Sequence, residues 1–121
     1  MTISDTAKRL GLSPHTLRYY EKIGLIRDVE RASGRRVYTD RDLIWLEFVL
    51  RLKATGMGLA RIKRYADLRY EGDETVPERK AMLLSHRQDL ESAIARLKSN
   101  LVALDHKIEL YEAMEKEHDA L

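Results

Sequence analysis

The last third of the sequence places an apolar side chain at every third or fourth position, and this regularity restricts the fold more than any other feature. Spacing that alternates between three and four residues puts such side chains on one stripe of a helix, the seam of a coiled coil. A helix over residues 78–116 is about 58 Å long, and residues 1–70 alone cannot cover its seam. We therefore expect a second long helix to pack on it. The seam positions are Leu90, Ile94, Leu97, Leu101, Leu104, Ile108 and Tyr111.

No other segment has comparable length and periodicity, so the partner helix is predicted to come from a second copy of the chain. Parallel and antiparallel arrangements are both open, and we favour the antiparallel one. A two-fold axis between residues 102 and 103 then pairs Leu101 with Leu104 of the partner subunit, and Ile94 with Tyr111 of the partner subunit. The sequence thus predicts a homodimer.

Residues 1–24 show a helix-turn-helix pattern. Ser13 can accept hydrogen bonds from the free N–H groups of a first helical turn, and Pro14 suits the first helical position, so a helix is predicted to begin there. Ala7, Gly11 and Leu17 match the small, left-handed turn and buried positions of the motif. The outer and lateral faces of the second helix carry the candidate DNA contacts His15, Thr16, Arg18, Tyr19 and Lys22.

Two short strand-like runs between residues 26 and 38 flank a turn at residues 31–34, which predicts a β-hairpin. The hairpin carries Arg27, Arg31, Arg35 and Arg36. A basic hairpin directly after a recognition helix is typical of a wing that lies against phosphates or the minor groove. A surface hairpin with coincidental charge is the alternative.

Three Thr-x-x-Asp/Glu patterns predict further helix starts, because the threonine and the acidic side chain can cap each other's backbone N–H groups. Between the second and third starts, a fourth helix is predicted to carry outward cations that form a second phosphate clamp. The three capping patterns are Thr2 with Asp5, Thr39 with Asp42, and Thr75 with Glu78. The clamp residues are Arg61, Lys63 and Arg64.

The predicted fold is mainly α. It comprises a winged helix-turn-helix DNA-binding domain with a small β-hairpin wing over residues 1–70, and a hinge over 71–77 where Gly72 lies among acidic and polar residues. A long antiparallel coiled-coil dimerisation helix follows over 78–116, with a tail over 117–121. Residues 1–70 have a net charge of +7 and residues 71–121 one of −5. A basic N-terminal domain suits a phosphate backbone.

Composition excludes several classes of function. The chain has no cysteine, so it cannot form disulfides, thiolate metal sites or a nucleophilic thiol. The sequence lacks a paired acid/base motif, a phosphate loop and a nucleophile elbow, so we expect no enzyme activity and no cofactor. No apolar run has the length of a signal peptide or membrane span, which predicts a cytoplasmic protein. His86 and His106 are not at ligand spacing, so no metal site is expected.

Three runs of residues resemble the MerR family of bacterial transcription regulators, and the spacing between the runs matches too. They are LRYYEKIGLI at residues 17–26, GRRVYTDRDL at 34–43 and GMGLARI at 56–62. The resemblance implies a homodimer on a palindromic operator within a promoter whose spacer is too long. Activation would bend and untwist that spacer, with RNA polymerase at the promoter as the partner. The protein would act in the bacterial cytoplasm, on the nucleoid. Activator and repressor both remain open.

Carried over position by position, the resemblance implies recognition-helix contacts by Thr16, Arg18 and Tyr19, wing contacts by Arg36 and Tyr38, and a structural role for Tyr20. The wing departs from the commoner Gly-Tyr-Arg-Arg-Tyr pattern at residues 35 and 37, which leaves the roles of Arg35 and Arg36 open.

The linker at residues 67–73 resembles the short branch associated with aldehyde and electrophile stress. Members of that branch often use a cysteine, so their sensing chemistry does not transfer to this chain. Two other readings stay open: an architectural DNA-binding protein of excisionase type, and a coiled-coil adaptor whose basic face is incidental.

Overall fold

The structure is a computed structural model that describes residues 1–120. It contains five α-helices and one antiparallel hairpin within that range. In chain order the elements are α1 (Ile3–Leu10), α2 (Pro14–Lys22), β1 (Glu30–Ala32), β2 (Arg35–Val37), α3 (Asp40–Ala54), α4 (Leu59–Glu71), a 3₁₀ turn (Asp73–Thr75) and α5 (Val76–Ala120). The chain divides into two compact units, the first over Met1–Leu84 and the second beginning at Ser85. The mainly helical class and the wing are confirmed.

Capping side chains start the helices of the helix-turn-helix as predicted. Thr2 Oγ1 accepts the backbone N–H of Asp5 at 3.0 Å, and Ser13 Oγ accepts that of Thr16 at 3.1 Å. Gly11 ends α1 with φ 70°, in the left-handed region that a side chain would strain. The turn between α1 and α2 therefore follows from local chemistry.

Of the two later capping patterns, only the one at α3 forms. Thr39 Oγ1 accepts the N–H of Asp42 at 3.1 Å, and the Asp42 carboxylate accepts the N–H of Thr39 at 3.0 Å. The predicted cap of α5 is wrong. The Thr75 hydroxyl lies 2.6 Å from the carbonyl oxygen of Leu68 and is buried, while Glu78 pairs with Arg64 at 3.0 Å. Bonds to residues that are distant in sequence therefore replace the local cap.

The hairpin is shorter than the predicted strand-like runs. Its register pairs Arg31 with Arg36 across a turn whose central residues, Ser33 and Gly34, both have positive φ, the conformation of a type I′ turn. Tyr38, just after β2, exchanges two backbone hydrogen bonds with Met1 at 2.7 and 2.9 Å. These bonds fix the wing beside the start of α1.

The core of the first unit joins α2, α3 and α4 to the segment between α2 and the wing. Trp45 donates its indole N–H to the carbonyl of Leu25 at 2.7 Å, and its ring stacks on Tyr65 with centroids 5.9 Å apart. Leu25 and Ile26 are fully buried, and the strand-like run predicted from residue 26 becomes a strand only at Glu30. Burial of apolar surface thus places the wing relative to α2. Other fully buried side chains are Leu17, Leu46, Ile62 and Leu68.

The predicted boundaries shift at both ends of the long helix. Only Gly72 and the 3₁₀ turn separate α4 from α5, so the connection is shorter than the hinge predicted over 71–77. Met82 and Leu83 pack against the core, which explains why the first unit ends at Leu84 rather than residue 70. Residues 117–120, predicted as a tail, continue α5 because no glycine or proline follows Pro77; residue 121 lies outside the described residues.

The second unit consists of α5 from Ser85 onward. Six of the seven predicted seam side chains are between 43% and 68% exposed, and Leu90 is half-buried. Exposed apolar side chains in such a regular stripe indicate a surface that another helix covers. No helix in the described residues has the length and apolar character to cross a membrane.

Candidate nucleic-acid interface

The recognition helix α2 presents its predicted contact residues on the side opposite to the core. Leu17 and Tyr20 point inward and are 0% and 3% exposed. The 3.6-residue period therefore turns Arg18 and Tyr19 outward. His15, Arg18, Tyr19 and Lys22 are exposed, and Thr16 is half-buried with its hydroxyl 3.0 Å from the Ser13 hydroxyl.

Tyr20 lies on the buried face of α2 and contacts α3. Lys53 on α3 places its ammonium 3.3 Å from the Tyr20 hydroxyl and 5.8 Å from the ring centroid. Tyr19 leans on the Tyr20 ring with centroids 6.4 Å apart and stays 42% exposed. The exposed Tyr19 ring is thus held by a buried neighbour.

One carboxylate on α2 organises the wing. Glu21 accepts a hydrogen bond from Arg36 Nε at 2.6 Å, and its other oxygen lies 3.8 Å from Arg31. Glu21 and Arg36 are about three-quarters buried, so solvent screens this charge-assisted bond only in part. Sequence reasoning missed Glu21; its signal is that it is the only acidic residue in α2.

The structure separates the wing arginines into different roles. Arg27, predicted as part of the wing, is not available to DNA there: it pairs with Asp67 on α4 and packs 4.7 Å from the Tyr70 ring centroid. Its Nε also donates to the carbonyl of Gly24 at 3.1 Å. Arg35, by contrast, is exposed and forms no ion pair within the described residues. Arg27 therefore links the turn after α2 to α4.

Tyr38, which the resemblance implies as a wing contact, does not lie on the wing surface of the free protein, and its contact with DNA stays a prediction. It is 2% exposed, and its hydroxyl has no hydrogen-bond partner among the described residues. Burial raises the pKa of this hydroxyl above its ordinary value, and the nearby Glu21 carboxylate raises it further. Tyr38 thus supports the wing from the core side, and a contact with DNA would require it to move.

Replacing Tyr38 with phenylalanine is expected to raise the free energy of unfolding by about 1 kcal/mol, because it removes a buried hydroxyl that no group satisfies. Urea unfolding followed by Trp45 fluorescence measures the change. Tyr20→Phe is the matched control and should be neutral or mildly destabilising, since its hydroxyl has Lys53 as partner. A loss of stability in Tyr38→Phe larger than in the control contradicts the prediction.

The predicted second clamp on α4 is only partly available. Lys63 is exposed and Arg61 is half-buried. Arg64 pairs with Glu78 at 3.0 Å, and both side chains are more than half exposed. Such a solvent-exposed pair is weak. Arg64 can therefore exchange its carboxylate for a phosphate at little cost.

Three of the predicted DNA contacts meet in one cleft. Arg18 of α2 and Arg35 and Arg36 of the wing line a cavity of about 370 Å³, together with Ser4 in the first turn of α1. We call it the wing cleft. Its cations and the N-terminus of α1 both favour anions. The remaining lining residues are Thr2, Ile3, Arg31 and Gly34.

Comparison with known proteins finds related regulators. The family model for the MerR HTH family regulatory protein matches residues 1–68, and a second model, described as MerR, DNA binding, matches residues 43–107. An uncharacterised HTH-type transcriptional regulator of Haemophilus influenzae is 39% identical over 112 residues, covering 92% of this chain and 83% of that protein.

Two solved structures have the same fold. One is the crystal structure of HiNmlR, a MerR family regulator lacking the sensor domain, bound to promoter DNA: it is 39% identical, with a TM-score of 0.84 over 92% of this chain and 89% of that one. The other, a MerR family transcriptional regulator from Listeria monocytogenes, is 31% identical, with a TM-score of 0.89 over 98% and 95% of the two chains. This chain therefore belongs to the MerR family of transcription regulators, a class of DNA-binding proteins and not of enzymes.

Proposed function

We propose that two copies of this chain bind an inverted repeat inside a promoter with an overlong spacer, and activate transcription by distorting that spacer. The wing cleft carries the proposal, because it brings Arg18 of α2 and Arg36 of the wing to one surface. In support, a solved relative that is 39% identical is bound to promoter DNA. Arg18 and Tyr19 are the proposed base-reading residues, and Arg35, Arg36, Lys63 and Arg64 bind phosphates.

The dimer forms through the exposed seam of α5, from Leu90 to Tyr111. In the antiparallel register, the two-fold axis lies between residues 102 and 103. Leu101 and Leu104, both more than half exposed in the single chain, then cover each other across the axis. Burying these side chains removes apolar surface from water and drives the association.

Cysteine cross-linking tests this register, and the absence of natural cysteines makes the result easy to interpret. Chains carrying Ile94→Cys are mixed with chains carrying Tyr111→Cys. We expect mixed disulfide dimers to form, because residues 94 and 111 face each other across the seam. Each variant alone is the control. Efficient bridging of Ile94→Cys to its own copy contradicts the antiparallel arrangement and supports a parallel one.

Activation follows from deformation energy. A protein that bends and untwists DNA can realign two promoter elements that it does not touch, so that RNA polymerase engages both. Shortening the spacer one base pair at a time should therefore produce a promoter that is active without the protein. If every shortened promoter still requires the protein, the distortion mechanism is wrong. The protein acts on the nucleoid in the cytoplasm.

The operator is found by selecting bound sequences from a random duplex pool and then measuring the mass of the complex on the selected site. An inverted repeat occupied by one dimer supports the proposal. Enrichment of no sequence, with binding of DNA retained, favours an architectural protein. No DNA binding at all favours a coiled-coil adaptor.

A further inference from the structure

The Tyr38 hydroxyl is a buried hydrogen-bond donor without an acceptor. The side chain is 2% exposed, and the oxygen has no partner among the described residues. Burial raises the pKa of the hydroxyl above its ordinary value, so it keeps its proton and stays a donor. Most buried polar groups in native proteins have a partner. This donor therefore indicates a second state of the protein in which an acceptor reaches it.

The charged neighbours of this hydroxyl identify the acceptor. Besides burial, four charged side chains shift its pKa: Glu21, Arg36, Asp42 and Arg18. Only the two carboxylates can accept a hydrogen bond, because a guanidinium has donors alone. Asp42 already accepts the backbone N–H of Thr39 at 3.0 Å in the cap of α3. Glu21, by contrast, is bonded to Arg36, a cation that can also bind phosphate. Glu21 is therefore the acceptor that the hydroxyl can gain.

Glu21 loses its main partner if Arg36 binds DNA. Glu21 Oε2 accepts the bond from Arg36 Nε at 2.6 Å, and Arg31 lies 3.8 Å from the other oxygen. Arg36 is about three-quarters buried, whereas Arg18 and Arg35 in the same cleft are exposed. Arg36 must therefore swing outward to reach a phosphate, and this movement vacates Oε2. A largely buried carboxylate oxygen without a hydrogen bond is costly.

We propose that the Tyr38 hydroxyl takes the place of Arg36 on Glu21 when the wing binds DNA. In the free protein Arg36 occupies the carboxylate and the hydroxyl is unpaired. In the complex the guanidinium binds a phosphate, and the hydroxyl donates to Oε2. The exchange keeps the carboxylate hydrogen-bonded in both states, which lowers the cost of releasing Arg36. Tyr38 is thus a positioning residue that contacts Glu21, and the inference rests on the proposed binding of Arg36 to phosphate.

The stability of the free protein tests the exchange without DNA. Arg36→Ala vacates Oε2 permanently, so the Tyr38 hydroxyl should bond to Glu21 in the unbound protein. Tyr38→Phe, which is expected to raise the urea midpoint of the unmodified chain, should then lower the midpoint in the Arg36→Ala background. A role of the aromatic ring in packing alone does not reverse the sign. If Tyr38→Phe fails to lower the midpoint in the Arg36→Ala background, the hydroxyl does not reach Glu21 and the proposal is wrong.

Affinity for the selected operator tests the same exchange in the complex. Tyr38→Phe should weaken binding by about ten-fold or more, because a hydrogen bond to a charged group is lost only in the bound state. Glu21→Ala removes the acceptor, so adding Tyr38→Phe to it should change the affinity by less than about two-fold. Tyr65→Phe is the matched control: it removes a tyrosine hydroxyl from α4, outside the wing cleft, and should leave the affinity unchanged.

These measurements separate failure of the inference from failure of the proposed function. If Tyr38→Phe weakens binding equally with and without Glu21→Ala, the hydroxyl contacts DNA itself and the exchange is wrong, while operator binding stands. The exchange is also wrong if Tyr38→Phe binds as tightly as Tyr65→Phe. If the protein binds no DNA, the proposed function is wrong, and the urea midpoints still show whether the hydroxyl reaches Glu21. Should Glu21→Ala not fold, Glu21→Gln replaces it: this neutral acceptor should make the loss caused by Tyr38→Phe smaller, and an equal loss contradicts the exchange.

Discussion

Replacing Leu101 and Leu104 together with lysine is expected to convert the dimer into a monomer and to lower operator affinity by about 10³-fold or more. In the proposed register these two positions face each other at the two-fold axis, so the double variant places four ammonium groups where four leucines would pack. Each leucine loses about 1.5–3 kcal/mol of burial, and like charges then repel across the axis. A monomer reads one half-site, and its binding falls toward the non-specific level.

Val102→Lys is the matched control. Val102 is 56% exposed and lies on the opposite side of α5 from the seam, so it adds a lysine to the same helix without entering the interface. Sedimentation gives the mass of each variant, and titration on the selected operator gives the affinity. The first unit should stay folded in all variants, because its core residues lie within residues 1–84. Emission of Trp45, the only tryptophan, checks this.

A double variant that remains dimeric and binds the operator with unchanged affinity would show that the seam is not the interface. A double variant that is monomeric but keeps its affinity would show instead that one chain suffices for binding. Either result contradicts a two-fold symmetric complex on an inverted repeat.

Features set by neighbours in sequence could be predicted from the sequence, and the caps at Ser13 and Thr39 illustrate why. A side chain three residues from its backbone donor needs only a helix to bring the two together, so the pattern alone predicts the bond. The same holds for the inward direction of Leu17 and Tyr20, since the helical period fixes which side chains share a face.

Roles that depend on distant partners could not be predicted in this way. Arg27 and Asp67 are 40 residues apart in the chain, and no local pattern indicates that α4 takes this arginine away from the wing. Tyr38 is a wing contact by resemblance, yet the core beneath the wing buries it. Thr75 fits a capping pattern, but its hydroxyl donates to the carbonyl of Leu68 instead. In each case tertiary packing overrode a local preference.

The candidate site also combines features that sequence neighbours set with features that distant partners set. The outward direction of the proposed contact residues of α2 follows from helical periodicity, whereas the organising role of Glu21 depends on the fold that places Arg36 beside it. The seam of α5 is visible in the sequence as a period, but the partner that we propose for it belongs to another chain. For that reason the periodicity predicts that an interface exists and leaves its register to be measured.

The second large effect is expected from Arg18→Ala, which should weaken operator binding by about 1–3 kcal/mol, or roughly 5- to 150-fold. Arg18 is exposed on α2, lines the wing cleft and forms no ion pair among the described residues. Its guanidinium is therefore free to bind DNA without first breaking a bond within the protein. Arg96→Ala on α5 is the control, because it removes the same charge from an exposed position outside the cleft.

The dependence of binding on salt then distinguishes the two contacts that Arg18 can make. A guanidinium that binds a phosphate releases about one counterion, so its loss makes the salt dependence shallower by roughly one and weakens all sequences equally. A guanidinium that pairs with a base edge carries sequence information instead, so its loss alters the preferred base at one position in each half-site. Because Arg35 lines the same cleft, is exposed and forms no ion pair among the described residues, Arg35→Ala provides the phosphate-binding comparison. If Arg18→Ala binds the operator as tightly as Arg96→Ala does, then α2 does not present Arg18 to DNA, and the recognition face must be reassigned around Tyr19 and Lys22.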